Sequence, residues 1–297
     1  MGSAFEFIIC HHSESQAQYF YELAVKEVQR IENILSEFKE DSITSQINQS
    51  KADKPIQLDT EVYELIHRCK IISELSSGYF DITAAAFKKI YKFNGVEAEL
   101  PETELIQATL KQVGHLNLEL HEGLKLIKKH PDTYINFAAI GKGYAAEKVR
   151  ELWLTEGLEN AVINASGDLC VLGTPPDQDF WDIGIPEPSN PHKLALKIPI
   201  HEGAVASSGN TYQFFTGTDK KYSHNLNPLT GYPASHIDGV SVFHPSAEFA
   251  DAMATALHSM DIHEGIELVN QLGQTHCIIT DARGRIHFSK DIEYHEN

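Results

Sequence analysis

The chain has 297 residues, 42% of them hydrophobic and 22% charged, which describes a globular protein with enough chain for a sizeable core. Lys and Arg number 24 against 42 Asp and Glu, a formal charge of −18. So acidic a chain gains nothing from a phosphate backbone and has no basic face for an anionic membrane, which argues against a nucleic-acid binder. No apolar run reaches the length of a transmembrane span. An anionic ligand would need a metal ion or helix-terminus amides to hold it.

The predicted elements begin with an apolar strand, Ala4–Cys10. Ala17, Phe20, Ala24, Val28, Ile31, Leu35 and Phe38 then recur at spacings of three and four, one face of a long helix that stops near Lys39–Ser42. Val62, Leu65, Cys69, Ile72 and Leu75 mark a second helix, with Asp59 and Glu61 at its positive end and Gly78 after it. Ala98–Leu116 reads as a helical insert opened by Pro101. Tyr134–Phe137 reads as a short strand, and Gly141–Glu156 as a helix ended by Gly157. Strands follow at Ala161–Ala165, Leu169–Leu172, Trp181–Ile185, Leu194–Ile200 and Gly239–His244. Ala247–Met260 and Glu264–Leu272 are predicted helices, and His276–Thr280 with Arg285–Ser289 a closing hairpin around Arg283-Gly284. The class is α+β, and with no Pro/Gly linker in view the expectation is one compact unit.

The four cysteines, Cys10, Cys69, Cys170 and Cys277, are far apart and form no CxxC pair, so they read as buried apolar residues rather than zinc ligands or a disulfide framework. Met1 leads straight into the first apolar strand without the basic stretch of a secretory signal.

Three segments carry chemistry. Gly141-Lys-Gly143-Tyr-Ala-Ala146 has the spacing GxGxxA, follows a predicted strand and opens a helix, with Glu159 near the acid offset of a dinucleotide fold. The predicted strand ends several residues too early, however, and strands rather than βαβ units follow. A helix N-terminus whose small residues admit another backbone fits better, and it still leaves amide donors for an anion. Asp251 and Thr255 lie four apart among alanines on a predicted helix, so they share a face. They are either hard oxygen ligands suited to Mg²⁺ or an ordinary solvated pair. The stretch from Ser207 to Pro233 reads as a rigid, turned loop. It holds Ser208-Gly209-Asn210 and then His224-Asn-Leu226-Asn227-Pro-Leu-Thr-Gly-Tyr-Pro233, in which His224 is a candidate base.

Taken in order, these segments resemble the ApbE family, the FAD:protein FMN transferases. Met1-Gly2-Ser3 is similar to the family's opening Met-Gly-Thr, and Leu35-Ser36-Glu37-Phe38 with Asp41-Ser42 and Asn48 to its LSx(Y/F) stretch. Ser77-Gly78-Tyr79-Phe80-Asp81-Ile82-Thr83 matches GxFDxT, and Asn136–Tyr144 loosely matches DLGGIAKGY. Asn164-Ala-Ser-Gly-Asp168 matches NAGGD; Ser208-Gly209, His224–Pro233 and Ala250-Asp251-Ala-Met-Ala-Thr255 complete a set that spans nearly the whole chain. So many matches in order are far more specific than any one of them.

The resemblance implies a single compact ApbE-like (T-fold-like) unit over residues 1–297, with a mixed or antiparallel sheet and packed helices. It implies Mg²⁺-dependent transfer of the FMN moiety of FAD to a Thr or Ser hydroxyl of an acceptor flavoprotein, with release of AMP. Asp251, Thr255 and the main-chain oxygen of Ala139 would hold the metal. Met1, Phe38, Tyr79, Phe80, Asp81, Asn136, Lys142 and Leu226 would contact FAD, the aromatic rings offering stacking surface. His224 would take the acceptor hydroxyl's proton. The sequence departs from the family at several points. Asn136 stands where Asp is frequent, Ala138 and Ala139 replace a Gly or Ser-Thr pair, Asn227 replaces the Asp of HxxDP, Asn210 a frequent Asp, and Ala254 a second acid. Each lost carboxylate weakens a metal site while Asn keeps its hydrogen bonds. Alternatives are therefore hydrolysis of FAD to FMN and AMP, or FAD binding without catalysis. The resemblance would place the protein in the periplasm or on a lipid anchor if its N-terminus is trimmed, and in the cytoplasm otherwise.

Overall fold

The computed structural model describes residues 3–91, 100–187, 190–209, 214–216, 221–223 and 225–296. They fall into two compact units, each discontinuous in sequence: Met1–Glu32, Ile140–Thr211 and His236–Asn297 in the first, Asn33–Ala139 and Tyr212–Ser235 in the second.

The first unit is built on a seven-stranded sheet. Its strands, in spatial order, are Phe5–Ile9, Ala161–Ala165, Asp168–Leu172, Gly203–Gly209, Ile237–His244, His276–Asp281 and Ile286–Phe288, and every neighbouring pair is antiparallel. The inner strands read as near-continuous apolar runs because both sheet faces are covered. Val162, Val171, Val205, Phe243 and Ile278 pack with Ile183, Ile185, Leu196 and Ile198 from the Trp181–Glu187 and Asn190–Ile200 hairpin. Helices Gly141–Thr155 and Ala247–Leu257 also pack on the sheet strands. Trp153 anchors the first of these: it is fully buried, its indole N–H donates to the Phe20 carbonyl at 2.9 Å, and Phe7 meets its ring edge-on at 5.7 Å.

The expected Ser207–Pro233 loop begins later than the sequence reading has it. Gly203–Gly209 is a strand in the middle of the sheet, paired on both sides. Its serines disguise it. Ser207 is accommodated because its N–H donates to Asp168 Oδ1 at 2.9 Å and its hydroxyl meets that of Ser241 at 3.0 Å, so no polar group is left unmet.

The second unit holds helices Ile43–Gln49, Thr60–Leu75 and Thr103–Leu110 and a small antiparallel sheet of Ile56–Gln57, Lys125–Lys128 and Leu118–His121. Asp59 caps the second helix as its position suggested, accepting from Val62 N–H at 2.8 Å. Gly78 follows its end at φ +87, where an L side chain is strained. Among the described residues of the insert the α-helix covers Thr103–Leu110, and a short 3-10 turn, His115–Asn117, follows Gly114 at φ +129. The expected strand at 134–137 is irregular backbone instead. Asn48 explains why: its side chain accepts from Ile135 N–H at 2.8 Å and donates to Ile135 C=O at 2.9 Å, replacing a ladder partner.

Candidate active site

The GxGxxA segment opens the Gly141–Thr155 helix, and the close-approach reading is the one observed. A Cβ on Gly143 would sit 2.2 Å from the Ala247 carbonyl oxygen and 2.7 Å from Asp251 Cβ. Only glycine lets the Gly141–Thr155 and Ala247–Leu257 helices come this close. One of the amide donors expected at this N-terminus is already engaged, for Gly143 N–H donates to Asp251 Oδ2 at 2.9 Å. Glu147, one turn on, is buried and accepts from Ala247 N–H at 2.6 Å, so the first helix also caps the second. Ser246 adds an ordinary N-cap bond from Phe249 N–H.

Asp251 is 6% exposed at its side chain. Lys142 reaches its Oδ1 at 3.2 Å and forms a second, shorter ion pair with Asp168 Oδ2. Asp168 is placed by the Asn164–Asp168 turn. Ser166 and Gly167 both have positive φ, the two-residue hairpin turn that an antiparallel pair prefers, and Asn164 Oδ1 accepts from Gly167 N–H at 2.8 Å. Two buried carboxylates thus face one ammonium. Burial works against the Lys142 charge, but Asp251 and Asp168 outweigh it and hold its pKa above the ordinary lysine value. Burial, with Asp251 next, pushes the Asp168 carboxyl up to about 7. Thr255 lies one turn beyond Asp251 on the same helix, half-buried. Among the described residues no three His, Cys, Asp or Glu side chains gather as a metal site, so any ion here would draw on hydroxyl or main-chain oxygens as well.

The second unit holds the other expected contacts. Phe38 is 88% exposed, an unusual place for a phenyl ring. Tyr79 is half-buried and Phe80 fully buried. The Asp81 carboxylate is engaged locally: it accepts from Thr83 N–H at 2.8 Å, Thr83 Oγ1–H at 2.5 Å and Ser73 Oγ–H at 3.3 Å, which caps the 3-10 helix Ile82–Lys89. Leu226 packs on the Phe87, Tyr91 and Ile106 cluster and bridges to Pro233. Tyr91 O–H donates to Gly231 C=O at 2.7 Å, and a Cβ on Gly231 would meet Ile106 at 2.6 Å. This confirms a tightly turned loop over 225–233. Asn136 is buried, and Ala139 is half-buried three residues further on. Met1, Asn210 and His224 lie outside the described residues.

Asp168, Glu147 and Glu37 were not among the expected site residues. Asp168 stood inside a quoted motif, and a lone carboxylate straight after a hairpin turn is the signal that marks it. Glu147 pairs with a helix start one hundred residues away, and nothing local announces it.

An antiparallel sheet packed with two helices that touch backbone to backbone, and a buried ammonium shared by two aspartates at their junction, define the class. The same fold is found in the crystal structure of the ApbE protein from Thermotoga maritima, with TM-score 0.89, 26% identity, and coverage of 97% of this chain and 94% of that one. It recurs in the flavin transferase ApbE from Vibrio cholerae, at TM-score 0.85, 22% identity, and coverage of 98% and 94%. The ApbE family model matches residues 1–279, and the chain belongs to that family. It is similar to the FAD:protein FMN transferase of Chlamydia pneumoniae, 31% identical over 84% of this chain and 78% of the relative. It is also similar to that of Treponema pallidum, 26% identical over 82% and 72%. The protein is an enzyme of the transferase class.

Proposed function

We propose that the protein moves the FMN moiety of FAD onto a Thr or Ser hydroxyl of an acceptor flavoprotein, with Mg²⁺ and with release of AMP, and that residues 1–297 serve this as one domain. The observation that carries the reading is the Lys142 group: two buried carboxylates against one ammonium leave a negative charge that a divalent cation would neutralise. Asp251 and Thr255 offer hard oxygens one helical turn apart, and the Ala139 main-chain oxygen would join them. Such a donor set fits Mg²⁺ and leaves positions for phosphate oxygens.

In the reaction the acceptor hydroxyl oxygen attacks the FMN phosphorus. The bond from that phosphorus to the bridging oxygen breaks, and AMP departs with that oxygen. The hydroxyl proton passes to His224. Mg²⁺, when bound, supplies charge neutralisation on the pyrophosphate. A chain of formal charge −18 needs such help to hold an anionic dinucleotide. Lys142 keeps its proton and would turn toward phosphate. The exposed Phe38 ring and the half-buried Tyr79 ring supply stacking surface, with Phe80 backing them; Met1, Asp81, Asn136 and Leu226 complete the contacts.

The experiment is incubation with FAD and Mg²⁺ or EDTA beside a Thr-bearing acceptor peptide, followed by chromatography and mass spectrometry. AMP release, no free FMN and a peptide heavier by one FMN are expected only with Mg²⁺. AMP with free FMN would mean a hydrolase, and intact bound FAD a binding protein; either overturns transfer.

A further inference from the structure

Glu37 lies beside the exposed Phe38, yet its own side chain is only 8% exposed. Three donors converge on it. Lys88 Nζ stands 2.8 Å from Oε1, Asn136 Nδ2 donates to the same oxygen at 3.2 Å, and the Tyr134 hydroxyl is hydrogen-bonded to it. The turn that carries Glu37 is itself fixed. Ser45 Oγ–H donates to the Glu37 carbonyl at 3.3 Å, and Ser42 Oγ–H to the Ser36 carbonyl at 2.6 Å.

The amide of Asn136 is read the same way round by both its side-chain partners. Its Oδ1 accepts from Ala138 N–H at 3.2 Å, so Nδ2 is the atom left for the carboxylate. Its backbone N–H donates to Ile82 C=O at 3.1 Å. A carboxylate at position 136 would keep the bond from Ala138 but set two anions against each other at a mostly buried spot. Glu37 therefore selects an amide at position 136, and through it ties the Phe38 turn to the 136–139 loop a hundred residues later.

We infer that Glu37 is a positioning residue for FAD: it holds the Phe38 turn and the Asn136–Ala139 loop in the arrangement that receives the dinucleotide. The inference rests on the flavin reading above. Glu37 touches no reacting atom in it, so its loss should raise KM for FAD and spare kcat.

The test is a double-mutant cycle of Asn136→Asp, Glu37→Gln and the pair together, read by equilibrium FAD binding, by KM and kcat, and by thermal unfolding. Asn136→Asp should weaken FAD binding about tenfold or more, with kcat within about threefold. The double variant returns a donor amide opposite a carboxylate, with the roles exchanged, and should recover binding to within about threefold of wild type. Additive losses in the double variant would overturn the inference. So would a loss confined to kcat, or FAD binding that follows the unfolding midpoint through all three variants. If wild type itself neither binds nor consumes FAD, the flavin reading fails instead. The Asn136–Glu37 coupling would then still be read in the unfolding midpoints alone.

Discussion

Two clusters in this molecule place a lysine against buried carboxylate, and their charge balance differs. Around Glu37, one carboxylate meets one lysine, one amide and one hydroxyl, and Lys88 is 45% exposed. Charges balance; such a group holds a loop. Around Lys142, two carboxylates meet one ammonium that is only 25% exposed, and the surplus is negative. A surplus of buried charge costs stability unless something else settles it. Under the proposed function a cation would settle the surplus of the second cluster; the first is balanced without one.

Several substitutions break or sharpen this contrast. Asp251→Asn removes the surplus charge and the central candidate ligand, and transfer should fall more than about 100-fold, measured as AMP release under saturating FAD and Mg²⁺. Lys142→Met strands both aspartates and should cost about 3–5 kcal/mol by denaturant titration, part of it restored by millimolar Mg²⁺. Lys88→Met, at the balanced and more exposed cluster, should cost no more than about 1 kcal/mol and show no Mg²⁺ response. Equal Mg²⁺ responses in the two lysine variants would erase the distinction between the clusters.

The surplus also sets a pH dependence. The Asp168 carboxyl is raised in the folded state, so between its ordinary value of 3.8 and about 7 the folded protein holds a proton that the unfolded chain has lost. Stability should therefore fall as pH rises through that window. Asp168→Asn should flatten the fall, which denaturant titrations at pH 4 to 8 would show. Lys142 acts in the same sense at much higher pH: its raised pKa favours the folded state at every pH below the ordinary lysine range, and that contribution is lost as pH rises through and beyond that range. The smallest effect is expected from Asp59→Ala, an isolated helix cap in the second unit, at about 1 kcal/mol with no change in transfer.

Local signals in the sequence were reliable where local physics decides. The Gly157 stop, the small-residue helix start and the acidic residue Asp59 at the positive end of its helix all stand as read. The long helix Glu14–Leu35 follows its three-and-four spacing as far as Leu35; Phe38, read onto the same face, lies beyond its end and is exposed. What stayed hidden depends on partners far along the chain. The strand end Ser207–Gly209 looked like loop because Ser207 finds its hydrogen bonds in Asp168 and Ser241, far from it in sequence. The 134–137 segment looked like a strand because nothing in it shows that Asn48 takes over its backbone groups. The two units left no linker to read, since the chain passes between them at four separate points. At the site, Asp251 was legible from its alanine-rich helix, but its tie to Lys142 and Asp168 joins residues up to 109 positions apart. The carboxylate cap from Glu147 and the amide selected by Glu37 belong to the same kind.

The most direct test of the charge contrast is calorimetric titration of Mg²⁺ into the wild-type protein and into Asp251→Asn, with FAD present. The expected result is one Mg²⁺ per wild-type chain and no measurable binding by the variant, at unchanged far-ultraviolet circular dichroism. Equal Mg²⁺ affinity in both proteins would contradict the assignment of the Lys142–Asp168–Asp251 group as the cation site.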